Sequence, residues 1–213
     1  LFDKHKAAGA KIVDFAGYEM PIQYAGIIEE HKCVRNSVGI FDVSHMGEFL
    51  VTGADAEDFL NYVTINDVAK MVAGQAQYTA MCLEDGGIVD DLLIYKYEDR
   101  YLTVVNAANI QKDWEHMQSH LMDGAEMEDI SEQTTLLAVQ GPQSREVLQK
   151  LADADLGAVK FYHFIEGEVA GIPATIARTG YTGELGFELY VENQNAADLW
   201  DAIFEAGAEY NIQ

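Results

Sequence analysis

Residues 86–96 read GGIVDDLLIYK, with two adjacent carboxylates inside an otherwise aliphatic run. That combination limits what the chain can fold into. An aliphatic segment opened by Gly-Gly reads as a strand, and neighbouring side chains of a strand point to opposite faces. Ile88, Asp90, Leu92 and Ile94 then line one face, and Val89, Asp91, Leu93 and Tyr95 line the other. Both faces are mostly apolar, so no slip of register moves both acids into water. At least one is expected in a low-dielectric setting, where an ionised carboxylate must be paired or hydrogen-bonded. A strand cap or an ion pair is the ordinary structural use of such an acid; a reacting group is the other.

The rest of the composition sets the frame for that strand. With 213 residues and 49% hydrophobic side chains, the chain can bury one large core or two small ones. Lys and Arg number 13 against 36 Asp and Glu, a formal net charge of −23. This balance argues against nucleic acid and against an anionic membrane as partners, because both require basic patches. A small anionic ligand held by a local cation stays compatible with it. No apolar run is long enough for a membrane span, and no signal peptide is evident. Cys33 and Cys82 lack a CxxC spacing and read as reduced thiols of a cytoplasmic protein.

Strands and helices alternate along the chain, joined by hairpins rather than by regular βαβ crossovers. GAKIVDFAGYEMPIQY reads as extended, GIIEEHKCVRNSV as a short helix, GIFDVSHMGEFLVTG as one strand and DAEDFLNYV as a helix. Residues 75–106 read as an antiparallel meander turned by EDGG and EDR. The next segment places Ile110, Trp114, Met117 and Leu121 on one helical stripe. TTLLAVQ is a further strand, followed by a helix with Pro142 near its first turn. Three strands within 161–192 and a last amphipathic helix complete the pattern. No internal repeat is visible. The class expected is α+β with antiparallel sheets.

Several candidate sites fail on chemistry. His116 and His120 have metal-ligand spacing but lack a third ligand nearby, and read as a solvated helix face. GYTGELG (180–186) has glycines three apart but neither the lysine nor the helix of a phosphate loop, and reads as a strained turn. There is no Gly-x-Ser-x-Gly elbow, and Cys82 lacks an activating base. What remains is a set of acids and tyrosines near strand ends: Tyr78, Asp90, Asp91, Tyr95, Tyr162, Tyr181 and Glu188. Such a set suits a flat, nitrogen-rich heterocycle, by stacking and by hydrogen bonding.

Six ordered blocks narrow the reading: VDFAGYEMP, FDVSHMGEF, GGIVDDLLIYK, VVNAAN, LLAVQGPQS and RTGYTGELGFEL. Together they resemble the aminomethyltransferase (T-protein) family of the glycine cleavage system, across the whole chain. The resemblance implies a reaction in which the aminomethyl group on the lipoyl arm of H-protein gives its carbon to tetrahydrofolate. The products are 5,10-methylenetetrahydrofolate, ammonia and the reduced arm. It also implies a three-domain arrangement around a folate channel. Residues 1–48 and 131–213 would form a discontinuous first domain and 49–130 a ferredoxin-like second, with the C-terminal barrel domain missing from this truncated part. No metal is implied, and the family precedent is a monomer.

Carried over by position, Asp91 matches the catalytic aspartate, fixed and unhydrated beside the folate amine, and Asp90 is left a structural role. Glu188 matches the acid that accepts from the pterin ring. Tyr78, Tyr95, Tyr162 and Tyr181 match tyrosines lining the folate pocket; Met46, Leu50 and Leu93 match its apolar contacts, and Asn106 a polar contact near the catalytic acid. Two other readings stay open at this stage: a non-catalytic folate binder that assists iron–sulphur maturation, and a folate-dependent demethylase or dimethylglycine-type enzyme. H-proteins are usually acidic, so a partner this acidic needs a local basic patch.

Overall fold

Alternating apolar positions become two separate five-stranded sheets in the computed structural model, which describes residues 1–15 and 17–213. Ala16, within the VDFAGYEMP block, lies outside the described residues. The chain divides into two compact units, Leu1–Val43 with Thr135–Gln213, and Ser44–Thr134. These crossing points lie a few residues from the expected 48/49 and 130/131.

The first unit begins with α1 (Phe2–Ala7), the hairpin of β1 (Lys11–Phe15) and β2 (Tyr18–Gln23), α2 (Ile27–Asn36) and β3 (Gly39–Asp42). The second contains β4 (Gly47–Thr52), α3 (Ala56–Val63), β5 (Gln75–Cys82), β6 (Ile88–Lys96), β7 (Tyr101–Val105), α4 (Ile110–Ser119) and β8 (Glu126–Asp129). The chain then completes the first unit with β9 (Thr134–Gln140), α5 (Ser144–Gln149), β10 (Phe164–Val169), β11 (Ile172–Ala177), β12 (Gly186–Glu192) and α6 (Ala196–Gly207). Residues 39–53, read as one strand, are two. The turn at Ser44–His45 breaks the run, and β3 and β4 join different sheets.

The second unit's sheet has the order β5-β6-β7-β4-β8. Its pairs β4·β7, β4·β8, β5·β6 and β6·β7 are all antiparallel. The part β8-β4-β7-β6 is a ferredoxin-like βαββαβ arrangement, and β5 adds a further strand along β6. Phe49, Val51, Leu92 and Ile94 form one face of this sheet and pack with Phe59 and Leu60 of α3 and Met117 of α4. The Ile110–Leu121 stripe packs there as its spacing predicts: Met117 is buried, and Ile110, Trp114 and Leu121 are partly so.

The first unit's sheet has the order β10-β11-β12-β9-β3. Read as β9-α5-β10-β11-β12-α6, this unit repeats the plan β4-α3-β5-β6-β7-α4 strand for strand. Only the fifth strand differs in origin: β8 follows its motif, whereas β3 precedes its own. The repeat is one of topology. Register and burial require only alternation, so the two copies need no shared residue identities, and none showed in the sequence.

One shared device is a glycine where the first strand of each plan turns toward its helix. Gly53 and Gly141 have φ of +102° and +130°, and an added Cβ would lie 2.3 Å from the Gly124 carbonyl oxygen and 2.4 Å from that of Ser37. Both the backbone angle and the packing therefore exclude a side chain. Gly141→Ala and Gly53→Ala are each expected to cost about 2 kcal/mol or more. Gly9 also has positive φ but faces open space, so Gly9→Ala should cost only about 1 kcal/mol. Urea midpoints separate these cases. Equal losses at all three positions would mean that backbone angle alone matters.

Candidate functional site

The register of the second unit sets most of the expected site residues on one face. Tyr78 pairs with Leu93, Leu93 with Val104, and Val104 with Glu48. In the next row Tyr95 and Leu50 both pair with Leu102, and Asp91 pairs with Ala80. Tyr78, Asp91, Leu93, Tyr95, Glu48 and Leu50 thus share the face opposite α3 and α4, while Asp90 lies with Leu92 on the helix-covered face. The pairing shifts between Met81 and Cys82, opposite Asp90 and Ile88. Such an irregularity breaks the alternation locally, and Ile88 is exposed rather than in line with the core.

Asp91 is the most closely held of these side chains. One carboxylate oxygen accepts from the Tyr78 hydroxyl at 2.5 Å and the other from the Asn106 amide at 2.8 Å. The carboxylate is fixed by these two bonds and half-buried. The same Asn106 nitrogen lies 3.2 Å from both oxygens of Asp90. Carboxylates only accept, so the orientation of the Asn106 amide is unambiguous. Asn106 follows the last residue of β7 and reaches acids from both faces of β6.

The remaining expected residues of this unit fall in two groups. Met46, Leu50 and Leu93 are half-buried. Tyr78 exposes its ring while its hydroxyl is engaged, and Tyr95 is fully buried. Tyr95 reaches no solvent, so this conformation offers it to no ligand. His116 and His120 are half-buried rather than solvated, with ring centroids 4.7 Å apart and His120 beside Tyr62. Burial, then the His120 charge, lowers the His116 pKa. Among the described residues no cluster suited to a metal is found.

Two acids escaped the sequence reading. Glu48 is completely buried, and neither carboxyl oxygen has a hydrogen-bond partner among the described residues. Burial, and secondarily Asp129, pushes its pKa up to about 9. Glu48 shares parity with Met46 and Leu50, which could have revealed its direction. Asp113, on the first turn of α4, is also completely buried. Burial and the neighbouring Asp90 push its pKa up to about 8.

In the first unit, Glu188 of β12 is half-buried and accepts a short hydrogen bond from the Thr179 hydroxyl. Tyr162 has a left-handed backbone, φ +57°. Burial, and then the charge of Glu188, raises its hydroxyl pKa. Tyr181 is fully exposed. The GYTGELG turn contains Gly180 and Gly183 at positive φ. Any Cβ at Gly180 or Gly186 would meet the buried Gln140 side chain at 2.2 Å. Gln140 is held there by the Thr179 carbonyl and the Thr182 hydroxyl. The glycines of this turn serve the packing against Gln140.

The family model of the GCVT N-terminal domain matches residues 1–213. A curated aminomethyltransferase of Bacteroides fragilis (strain ATCC 25285) is 56% identical over 213 residues, covering 99% of this chain and 59% of that protein. The chain thus spans about three fifths of the length of the curated relatives it matches. Among solved structures, the glycine cleavage system aminomethyltransferase T from Bartonella henselae superposes with a TM-score of 0.90 at 32% identity, covering 100% of this chain and 57% of that one. The heterotetrameric sarcosine oxidase from Corynebacterium sp. U-96 shares the fold, with a TM-score of 0.63, 16% identity and coverage of 86% and 91%.

The buried carboxyl of Glu48 has a consequence for stability. Unfolding releases its proton above about pH 4.5, whereas the folded protein holds it to about pH 9. Stability therefore falls as pH rises through that window, and Asp113 acts in the same direction up to about pH 8. Glu48→Gln removes one of these slopes. Its advantage over the parent chain should grow by about 3 kcal/mol between pH 6 and pH 8, measured by urea unfolding at both pH values. A constant difference would mean that Glu48 is not held protonated.

Proposed function

The chain belongs to the GCVT N-terminal domain family, and from that premise we propose that it carries the catalytic aspartate of a tetrahydrofolate-dependent aminomethyltransferase. Identities of 56% and 51% to proteins of that name, over nearly all of this chain, support the reading. So does the likeness to a solved glycine cleavage aminomethyltransferase. The observation that carries it is the fixing of Asp91 by Tyr78 and Asn106.

The donor would be the aminomethyl group on the lipoyl arm of H-protein, and tetrahydrofolate the acceptor. Overall, the methylene carbon loses its bonds to the amine nitrogen and to sulphur and gains bonds to two folate nitrogens. The two protons leaving those nitrogens are balanced by those taken up by ammonia and the thiol. Asp91 keeps acceptor capacity beyond its two bonds to Tyr78 and Asn106, because a carboxylate has about four lone-pair sites. It would accept from the folate amine, fix its direction and raise its nucleophilicity toward the methylene carbon. Leu93, Leu50 and Met46 supply apolar contact, and the exposed ring of Tyr78 a stacking surface. In the first unit, Glu188 would accept from the ring N–H and amino groups of the pterin, with Tyr162 beside it. Free Cys33 and Cys82 suit a reducing cytoplasm.

Two substitutions test separate parts of this reading in the protein that carries this chain. Asp91→Asn keeps the shape and the Asn106 and Tyr78 neighbours but weakens the acceptor. Turnover with aminomethyl-lipoyl H-protein should fall ~10²–10⁴-fold, with folate affinity retained. Full activity would remove Asp91 from the reaction. Glu188→Ala should instead weaken binding of tetrahydrofolate or its 5-formyl analogue by about 10–100-fold in calorimetric titration, the loss of charge-assisted hydrogen bonds. Unchanged affinity would refute the pterin contact.

A further inference from the structure

Behind the Asp91 carboxylate lies a second pair of acids. Asp90 is 8% exposed and Asp113 completely buried. No donor reaches either oxygen of Asp113 among the described residues, yet its side chain is in hydrogen-bonding contact with Asp90. Two carboxylates cannot satisfy each other; a carboxylic acid and a carboxylate can. We propose that Asp113 and Asp90 share one proton, and that Asp113 is a positioning residue that holds Asp91 in place through Asp90 and Asn106. This rests on the reading of Asp91 as the catalytic acid.

The route is short. Asp113 donates to Asp90, and the Asp90 carboxylate accepts from the Asn106 amide at 3.2 Å on both oxygens. The amide's remaining hydrogen goes to Asp91 at 2.8 Å. Asn109 stands at the N-cap position of α4 but makes no side-chain cap there, and its side chain favours the ionised form of Asp90. Burial raises the Asp90 pKa, but hydrogen bonds from Asp113, Asn109, Asn106 and the Asp91 backbone outweigh it, and the net shift is downward. Asp90 already accepts from Asn106 whereas no donor reaches Asp113 among the described residues, so the proton of the pair resides on Asp113.

Loss of that proton would leave two buried anions in contact, a costly arrangement that only separation relieves. Asp90 is the acceptor that fixes Asn106, so its displacement would release the amide and with it one of the two bonds on Asp91. The charged groups that act on Asp113 are Asp90, Lys112 and Asp91. The Lys112 ammonium donates to the Val89 carbonyl at 2.6 Å, so it is not directed into the pair.

The test is an NMR titration of the 213-residue chain, following the side-chain carboxyl ¹³C of Asp90, Asp91 and Asp113 and the side-chain amide of Asn106. In the parent chain, Asp113 should ionise near pH 8, with the Asn106 amide and Asp91 carboxyl moving in the same step. In Asp113→Asn, which supplies an N–H in place of the acid proton, that step should vanish while the neutral-pH positions of Asn106 and Asp91 persist. Asp113→Ala should displace the Asn106 amide at every pH; should it not fold, the Asn variant still decides. Ionisation of Asp113 in the ordinary carboxylate range, or ionisation near pH 8 without movement of Asn106 and Asp91, overturns the proposal.

An activity profile of the protein carrying the chain adds a readout that a merely structural role would not move. Above pH 8, kcat/KM should fall about tenfold per pH unit in the parent and lose that limb in Asp113→Asn. An identical alkaline limb in both proteins overturns the positioning role. Full activity in Asp91→Asn with the coupled NMR step intact would refute the catalytic reading while leaving the shared proton established.

Discussion

A single amide nitrogen, that of Asn106, bonds acids from both faces of one strand, and the arrangement of the site depends on it. Asp90 and Asp91 are consecutive and point in opposite directions. One enters the space between sheet and helices, and the other lies on the opposite, more open face. Asn106 stands just past the neighbouring strand, where an amide can reach over the strand end to both. A hydroxyl there could donate only once, and a cation would neutralise the carboxylate proposed to accept from a substrate amine. Asn is suited to fix Asp91 without altering its charge.

The cost of this arrangement is spread through the second unit. Glu48 and Asp113 are buried carboxyls held protonated well above the ordinary carboxylate range, and both lower stability at neutral pH relative to acid. Hydrophobic replacements would pack more favourably at both positions. Asp113 has a use in the network around Asp90. Glu48 has none that the described residues display, although it shares the Asp91 face. The large apolar cluster of Phe49, Phe59, Leu60, Ile94 and Met117 is what allows the unit to tolerate such acids. Proteins commonly carry local destabilisation where a site requires it.

Much of this was legible from alternation. The parity of GGIVDDLLIYK separates Asp90 from Asp91, and the meander over 75–106, the helix after it and the apolar stripe all follow from spacing. The break between β3 and β4 was not legible, because GIFDVSHMGEFLVTG keeps strand-like residues on both sides of a short turn. Asp113 was hidden by its sequence neighbours: in QKDWEH it looks like one more polar residue on the outer surface of a helix. Only the position of Asp90 on β6 reveals what it meets. Tyr95 and Tyr181 show the opposite limit. Both are tyrosines of recognisable blocks, yet one is completely buried and the other completely exposed. Residue type reports neither.

The repeated plan of the two units separates scaffold from chemistry. Each has a strand, a positive-φ glycine, a helix, a three-strand meander and a second helix entered through Asn109 or Asn195 at the N-cap position. If the scaffold dictated the site, matching strands would carry matching acids. They do not. Asp91 lies on the middle strand of its meander, whereas Glu188 lies on the last strand of the other. The middle strand of the first unit, IPATIA, has no acid at all. The fold supplies two platforms of the same topology, and the proposed chemistry rests on the few side chains placed on them. For the second unit those are the acids of β6, with Asn106 at the end of β7 and Asp113 on the helix that follows.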